Sequence, residues 1–157
     1  QGWLAEAVLR ESLLLTSRPG DVAEGLPQVL ATLDPLFGRE AAVQIVEDNP
    51  ALIKSSPDDL KDVVALLITL LGQPAAAALI SIDAQVLGRS TVEIRRGLGA
   101  LVGLLGPEAV VAAARTNKFL LRFCWGHRVD EVVRALQRML GASAGLHAVT
   151  HCPRLIT

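Results

Sequence analysis

Apolar residues recur along this chain in one pattern written four times. The ladder reads Leu26, Leu30, Leu33, Phe37, then Leu60, Val64, Leu67, Leu71, then Ile94, Leu98, Leu101, Leu105, and finally Val129, Val133, Leu136, Leu140, at offsets 0, +4, +7 and +11 in every copy. Those offsets fall on one side of an α-helix and alternate across a strand, so each ladder predicts an amphipathic helix. A glycine closes each ladder, at Gly38, Gly72, Gly106 and Gly141, with steps of 34, 34 and 35 residues. A period of this length marks a supersecondary unit that buries its apolar side only by stacking on copies of itself.

Local signals place the ends of these helices. Ser56 precedes Pro57, Asp58 and Asp59, a capping residue followed by a proline and acidic side chains suited to the positive helix start. Ser90 with Glu93, and Asp21 with Glu24, have capping-box spacing. The four glycines are expected in the left-handed conformation that ends a helix. Beyond each glycine a shorter helix is predicted, over 39–48, 73–82, 107–116 and 142–150. A link then leads to the next ladder: Asn49-Pro50-Ala51-Leu52-Ile53, Asp83 to Leu87, Asn117 to Leu121 and Cys152 to Ile156, each ending in two apolar residues as a short 3₁₀ turn would. The period slips by one residue between Lys118 and Val129, which reads as a loop insertion around Phe123, Cys124, Trp125 and Gly126.

Composition agrees with close-packed helices. Hydrophobic residues make up 51% of the 157 residues but aromatics only 3%, so the core is aliphatic, where a β-sandwich would favour aromatic and β-branched residues. The expected fold is all-α: one array of 34-residue units, each two helices and a 3₁₀ turn, wound as a superhelical solenoid of either hand. The copies run over about 15–48, 49–82, 83–116 and 117–151, with a truncated one at 152–157. The chain begins at Gln1 without an initiator Met and stops inside a copy, so it is expected to belong to a longer protein. No uninterrupted apolar stretch reaches the roughly 18 residues of a membrane span, and no membrane partner is expected.

Among repeats of this length, the tetratricopeptide pattern places its Leu-Gly inside a helix and a Tyr soon after, whereas here Leu-Gly ends a helix and Tyr is absent. Pentatricopeptide repeats suit the proline-initiated link poorly. The chain resembles the mitochondrial transcription termination factor (mTERF) family, whose motif is a Pro, an apolar residue three later, and Leu-type residues at two further seven-residue steps. Pro50, Ile53, Leu60 and Leu67 follow it; Ala84, Leu87, Ile94 and Leu101 lose only the Pro; Lys118, Leu121, Val129 and Leu136 lose the Pro and carry the insertion. Pro153 and Ile156 open another copy, and Pro19, Leu26 and Leu33 form a degenerate first one with Thr16 in the Pro position. The resemblance covers the chain from about residue 15 onward. It implies a curved superhelix that binds RNA or DNA along a positive groove, in organelle gene expression, in a mitochondrion or a plastid.

Charge changes the picture further. The net charge is −1, yet residues 1–83 hold 5 Lys/Arg against 12 Asp/Glu, a balance of −7, and residues 84–157 hold 10 against 4, a balance of +6. Phosphate contacts need cations, so a nucleic-acid surface belongs to the second half, at Arg89, Arg95, Arg96, Arg115, Lys118, Arg122, His127, Arg128, Arg134, Arg138 and Arg154. Between Arg115 and Arg128 these cations are interleaved with Phe119, Phe123 and Trp125, as in single-strand recognition by stacking; the plainer alternative is that the two Phe complete the core while the cations extend to solvent. Arg134 and Arg138 share one side of their helix, with Asp130 placed for a weak pair, and a solvated stripe is as good an account of them as phosphate contact.

The near-neutral total disfavours a free, tight binder of duplex DNA and suits a subunit held by other proteins, such as a peripheral component of an organellar ribosome on ribosomal RNA. The acidic half would then face protein partners. The alternatives are a protein scaffold without nucleic acid and an organellar DNA-binding transcription factor. No catalytic constellation, cofactor motif or metal set is expected: Asp58/Asp59 and Glu47/Asp48 fall at helix ends, and Cys124-x-x-His127 with His151-Cys152 is awkward for chelation.

Overall fold

The computed structural model describes residues 19–117, 120–121, 124–125 and 129–152. Every regular element among them is helical. Four long helices carry the ladders: α1 (Pro19–Phe37), α3 (Pro57–Leu71), α5 (Thr91–Leu105) and α7 (Val129–Leu140). Four short ones follow them: α2 (Arg39–Asp48), α4 (Gln73–Ile82), α6 (Pro107–Thr116) and α8 (Ala142–His151). The first link forms a 3₁₀ turn over Pro50–Lys54 and the second over Ala84–Gly88. In the third, Leu120 and Leu121 are helical and Cys124 and Trp125 form a turn; the rest of the expected insertion lies outside the described residues, as do residues 153–157 of the last link.

One residue makes each bend between a long and a short helix. Gly72 donates its N–H to the Ile68 carbonyl at 2.8 Å, closing α3, while its own carbonyl accepts from the Ala76 N–H at 3.0 Å, opening α4. Gly38, Gly106 and Gly141 repeat this geometry. Their φ of 79–83° is positive as expected. Their ψ is not that of the left-handed helix end, however: at Gly72 it is 157°, an extended mirror-image conformation almost closed to residues with a Cβ. The reason is geometric. A left-handed residue turns the chain back over the helix it ends, whereas this conformation sends it straight into a second helix, bending the axis by 118° at Gly72 and 106° at Gly106.

Other end signals fared unequally. Ser90 and Glu93 form a full capping box. Ser56 stands at the N-cap of α3 without a side-chain capping bond. The expected box at Asp21 and Glu24 is not one, because α1 is already helical at Pro19 and Asp21 lies within its first turn. Pro27 and Pro35 sit inside α1, and both are exposed, so the carbonyls they leave unpaired, of Ala23 and Ala31, are on exposed residues too.

Long helices pack in sequence, α1 on α3, α3 on α5 and α5 on α7, and the short helices form a matching row, α2 on α4, α4 on α6 and α6 on α8. The two 3₁₀ turns also touch, and Asn49 Nδ2 donates to the Ala84 carbonyl at 3.2 Å, tying one link to the next. The seams between rows hold most of the ladders: Leu26, Leu30, Leu33, Leu60, Leu67, Ile94 and Leu98 are at most 1% exposed. Leu140, which ends the fourth ladder, is exposed because no further long helix covers it among the described residues. Burying such a side chain contributes about 1.5–3 kcal/mol. The ion pairs Asp34–Arg39, Asp21–Lys54, Asp58–Lys61 and Arg89–Glu93 are all partly or wholly solvated and contribute on the order of 0–1 kcal/mol each. Aliphatic burial therefore dominates.

The bend glycines are separable from ordinary helical ones by substitution. An added Cβ at Gly72 or at Gly103, within α5, meets open space, so only backbone conformation distinguishes the two sites. Gly72→Ala is expected to lower stability by about 1–3 kcal/mol, and Gly103→Ala to raise it by about 0.5–1 kcal/mol. Urea unfolding of both variants checks this; equal effects would remove the special role given to Gly72.

Candidate nucleic-acid interface

The segment joining the second link to α5 gathers several of the expected residues. The capping box fixes the start of α5: Glu93 N–H donates to Ser90 Oγ at 3.3 Å, and Ser90 N–H donates to Glu93 Oε2 at 3.1 Å. These bonds, foremost that from the Ser90 backbone and then that from its hydroxyl, hold the Glu93 carboxyl below its ordinary value of 4.5; burial opposes them, and the charges of Arg89 and Arg96 add weaker support. Arg89 reaches Glu93 at 3.7 Å from the other side.

Trp125 stands over this helix start. The Arg89 guanidinium lies 5.5 Å from the centre of its ring, within cation–π range, and Arg96 Nη2 donates to the Trp125 carbonyl at 3.4 Å. The turn comes this close because Gly97 has no side chain: a Cβ there would overlap the Cys124 carbonyl and lie 3.2 Å from Trp125 Cε3. The indole is half-buried against the core. Arg89, Arg96 and Trp125 thus come together from positions 29 to 36 residues apart, and the Trp ring already carries a cation.

The remaining described cations occupy two places. Arg134 and Arg138 are exposed on α7 at positions equivalent to Gly99 and Gly103 of α5, one period earlier. Together with Arg96 they belong to a side that all four long helices present: Gln28, Ala31, Pro35; Asp62, Ala65, Thr69; Arg96, Gly99, Gly103; Glu131, Arg134, Arg138. All of these are exposed except Gly99, which is half-buried. Along that side the charge changes from neutral through acidic to basic. Arg95 is exposed next to Arg96, in register with Lys61. Arg115 is exposed in the last turn of α6, in the row of short helices, where the helix dipole favours it. Among the described residues Arg95, Arg115, Arg134 and Arg138 make no ion pair. Lys118, Arg122, His127, Arg128 and Arg154, with Phe119, Phe123 and the Asp130 side chain, lie outside what the structure describes.

A cleft of 450 Å³ opens between the starts of α3 and α5, with Lys54, Asp59, Asp62 and Arg89 among the residues that line it. Sequence reasoning missed it, since its walls are equivalent residues of two successive units and only the stacking register brings them together. Cys124 is wholly buried, its Sγ donates to the Leu121 carbonyl at 3.3 Å, and burial pushes its thiol far above the ordinary range; Cys152 is exposed at the end of α8. No group of three or more metal-binding side chains assembles among the described residues, and no single described helix is long and apolar enough to cross a membrane.

The capping box yields a pH-dependent expectation. Ser90→Ala should cost about 1 kcal/mol. Glu93→Ala should also destabilise at neutral pH. Because the folded state holds Glu93 below its unfolded value, that stabilisation is present above 4.5 and is lost as pH falls through the folded value. Thermal unfolding against pH should therefore show wild type and Glu93→Ala converging on acidification; a gap that stays constant would exclude a role for the carboxylate charge.

Compared with protein-family models, with curated proteins and with solved structures, the chain finds no match.

Proposed function

We propose that this chain is a non-catalytic, RNA-binding solenoid of the type its repeat resembles, the mTERF family, acting in organelle gene expression. Its place would be a mitochondrion, or a plastid, as a peripheral subunit of an organellar ribosome on ribosomal RNA. The observation that supports this reading best is the shared outer side of the long helices, where Arg96, Arg134 and Arg138 are exposed in equivalent registers with Arg95 beside them. Row-on-row packing of successive helix pairs, each in contact with its neighbours, is what a solenoid requires, and solenoids present function along such extended surfaces. Arginine suits the role because its planar fork meets phosphate oxygens two at a time and stacks on bases. Trp125, with Arg89 on its ring, serves in this reading to position the start of α5 and not as an open stacking platform.

A protein scaffold without nucleic acid is the second reading, favoured by the exposure of Met139 (80%), Leu140 (50%) and Val92 (69%), and by the exposed acidic residues Asp58, Asp59 and Asp62 of α3.

Salt-dependent binding to a short single-stranded RNA separates the two. Replacing Arg96, Arg134 and Arg138 together by Gln should weaken binding at low salt and reduce the slope of log affinity against log salt by about 2. Lys61→Gln, in the acidic half, should leave both unchanged. Binding indifferent to salt and to the triple substitution would favour the scaffold.

A further inference from the structure

The last helix carries a feature that RNA binding does not use. His147 and His151 stand four residues apart on α8, so they leave the same side of the helix one turn apart. Their ring centroids are 4.1 Å apart with the planes tilted by 35°, and both side chains are exposed. Among the described residues neither ring has a hydrogen-bond partner. Two imidazoles at this spacing are the ligand pair that helical zinc motifs use. Metal–nitrogen bonds of about 2.0–2.1 Å put two adjacent ligand nitrogens roughly 3 Å apart, a separation that rings already in contact can supply from exposed positions with room to adjust.

We propose that His147 and His151 chelate one late first-row divalent metal ion, of the class Zn²⁺, Ni²⁺ or Cu²⁺. Neutral imidazole prefers these ions, whereas Mg²⁺ and Ca²⁺ take oxygen ligands. No third His, Cys, Asp or Glu joins the pair among the described residues, so water fills the other positions and the ion exchanges freely. Held by both rings, the ion ties the final turn of α8, the part of a helix that frays first. The site is independent of nucleic acid and stands or falls apart from it.

Isothermal titration of ZnCl₂ and NiCl₂ into the full chain tests the assignment, with MgCl₂ as the control. One ion should bind per chain. His147→Ala and His151→Ala should each weaken binding by roughly a hundredfold, the loss expected when a chelate is reduced to a single ligand. Both residues are exposed, so far-ultraviolet circular dichroism should show each variant folded as before. Cys152→Ser should leave the affinity unchanged. The proposal is overturned if the double variant binds Zn²⁺ as tightly as the unaltered chain, if either single variant keeps full affinity, or if Cys152→Ser abolishes binding.

Discussion

Each long helix has one aliphatic stripe that only its neighbours can bury, and the rest of the structure depends on keeping those stripes in register. Leu60, Val64 and Leu67 of α3 are buried in a core to which α1 and α5 on either side and the short helix α4 all contribute. That requires the chain to leave one long helix, cross through a short helix and a 3₁₀ turn, and return at the same height one period later. The four positive-φ glycines set the first change of direction and the links set the second. An error at a bend would displace every side chain after it, which explains why a conformation almost confined to glycine recurs at all four.

Most of this architecture was legible in advance because it rests on local rules. Apolar offsets report which side of a helix is buried, and the predicted short helices at 39–48, 73–82 and 107–116 coincide with α2, α4 and α6 because a glycine or a proline marks each start. The errors have equally local causes. Capping-box spacing at Asp21 and Glu24 falls within a helix already formed at Pro19, since the spacing alone does not fix where a helix begins. Glycine at a helix end suggested the left-handed conformation, but sequence does not show whether the chain turns back or runs on into a second helix.

The candidate interface was less legible because it is made between units. Arg89, Arg96 and Trp125 appear in sequence as separate members of a basic half, and only the packing of the third link over Gly97 brings them together. Trp125 illustrates the difference: its position at an insertion suggested an exposed ring, whereas the ring is half-buried and faces a guanidinium. Gly97 carried only a weak signal, since α5 holds three glycines and an added Cβ would clash at Gly97 but not at Gly99 or Gly103.

The side of the long helices that takes no part in the seams has a different kind of freedom. Gln28, Asp62, Arg96 and Glu131 occupy one register, and so do Ala31, Ala65, Gly99 and Arg134. Side chains as unlike as these can share a register because exposed positions away from caps and bends change stability by only about 0.5 kcal/mol in either direction. Aliphatic identity is held at the buried positions while charge varies along the outer one, so the molecule can carry an acidic half and a basic half on one scaffold without altering its packing. A partner that reads charge would therefore distinguish one repeat from another although their backbones are alike. What differs from repeat to repeat at these exposed positions is charge, while the helices that carry them share one pattern.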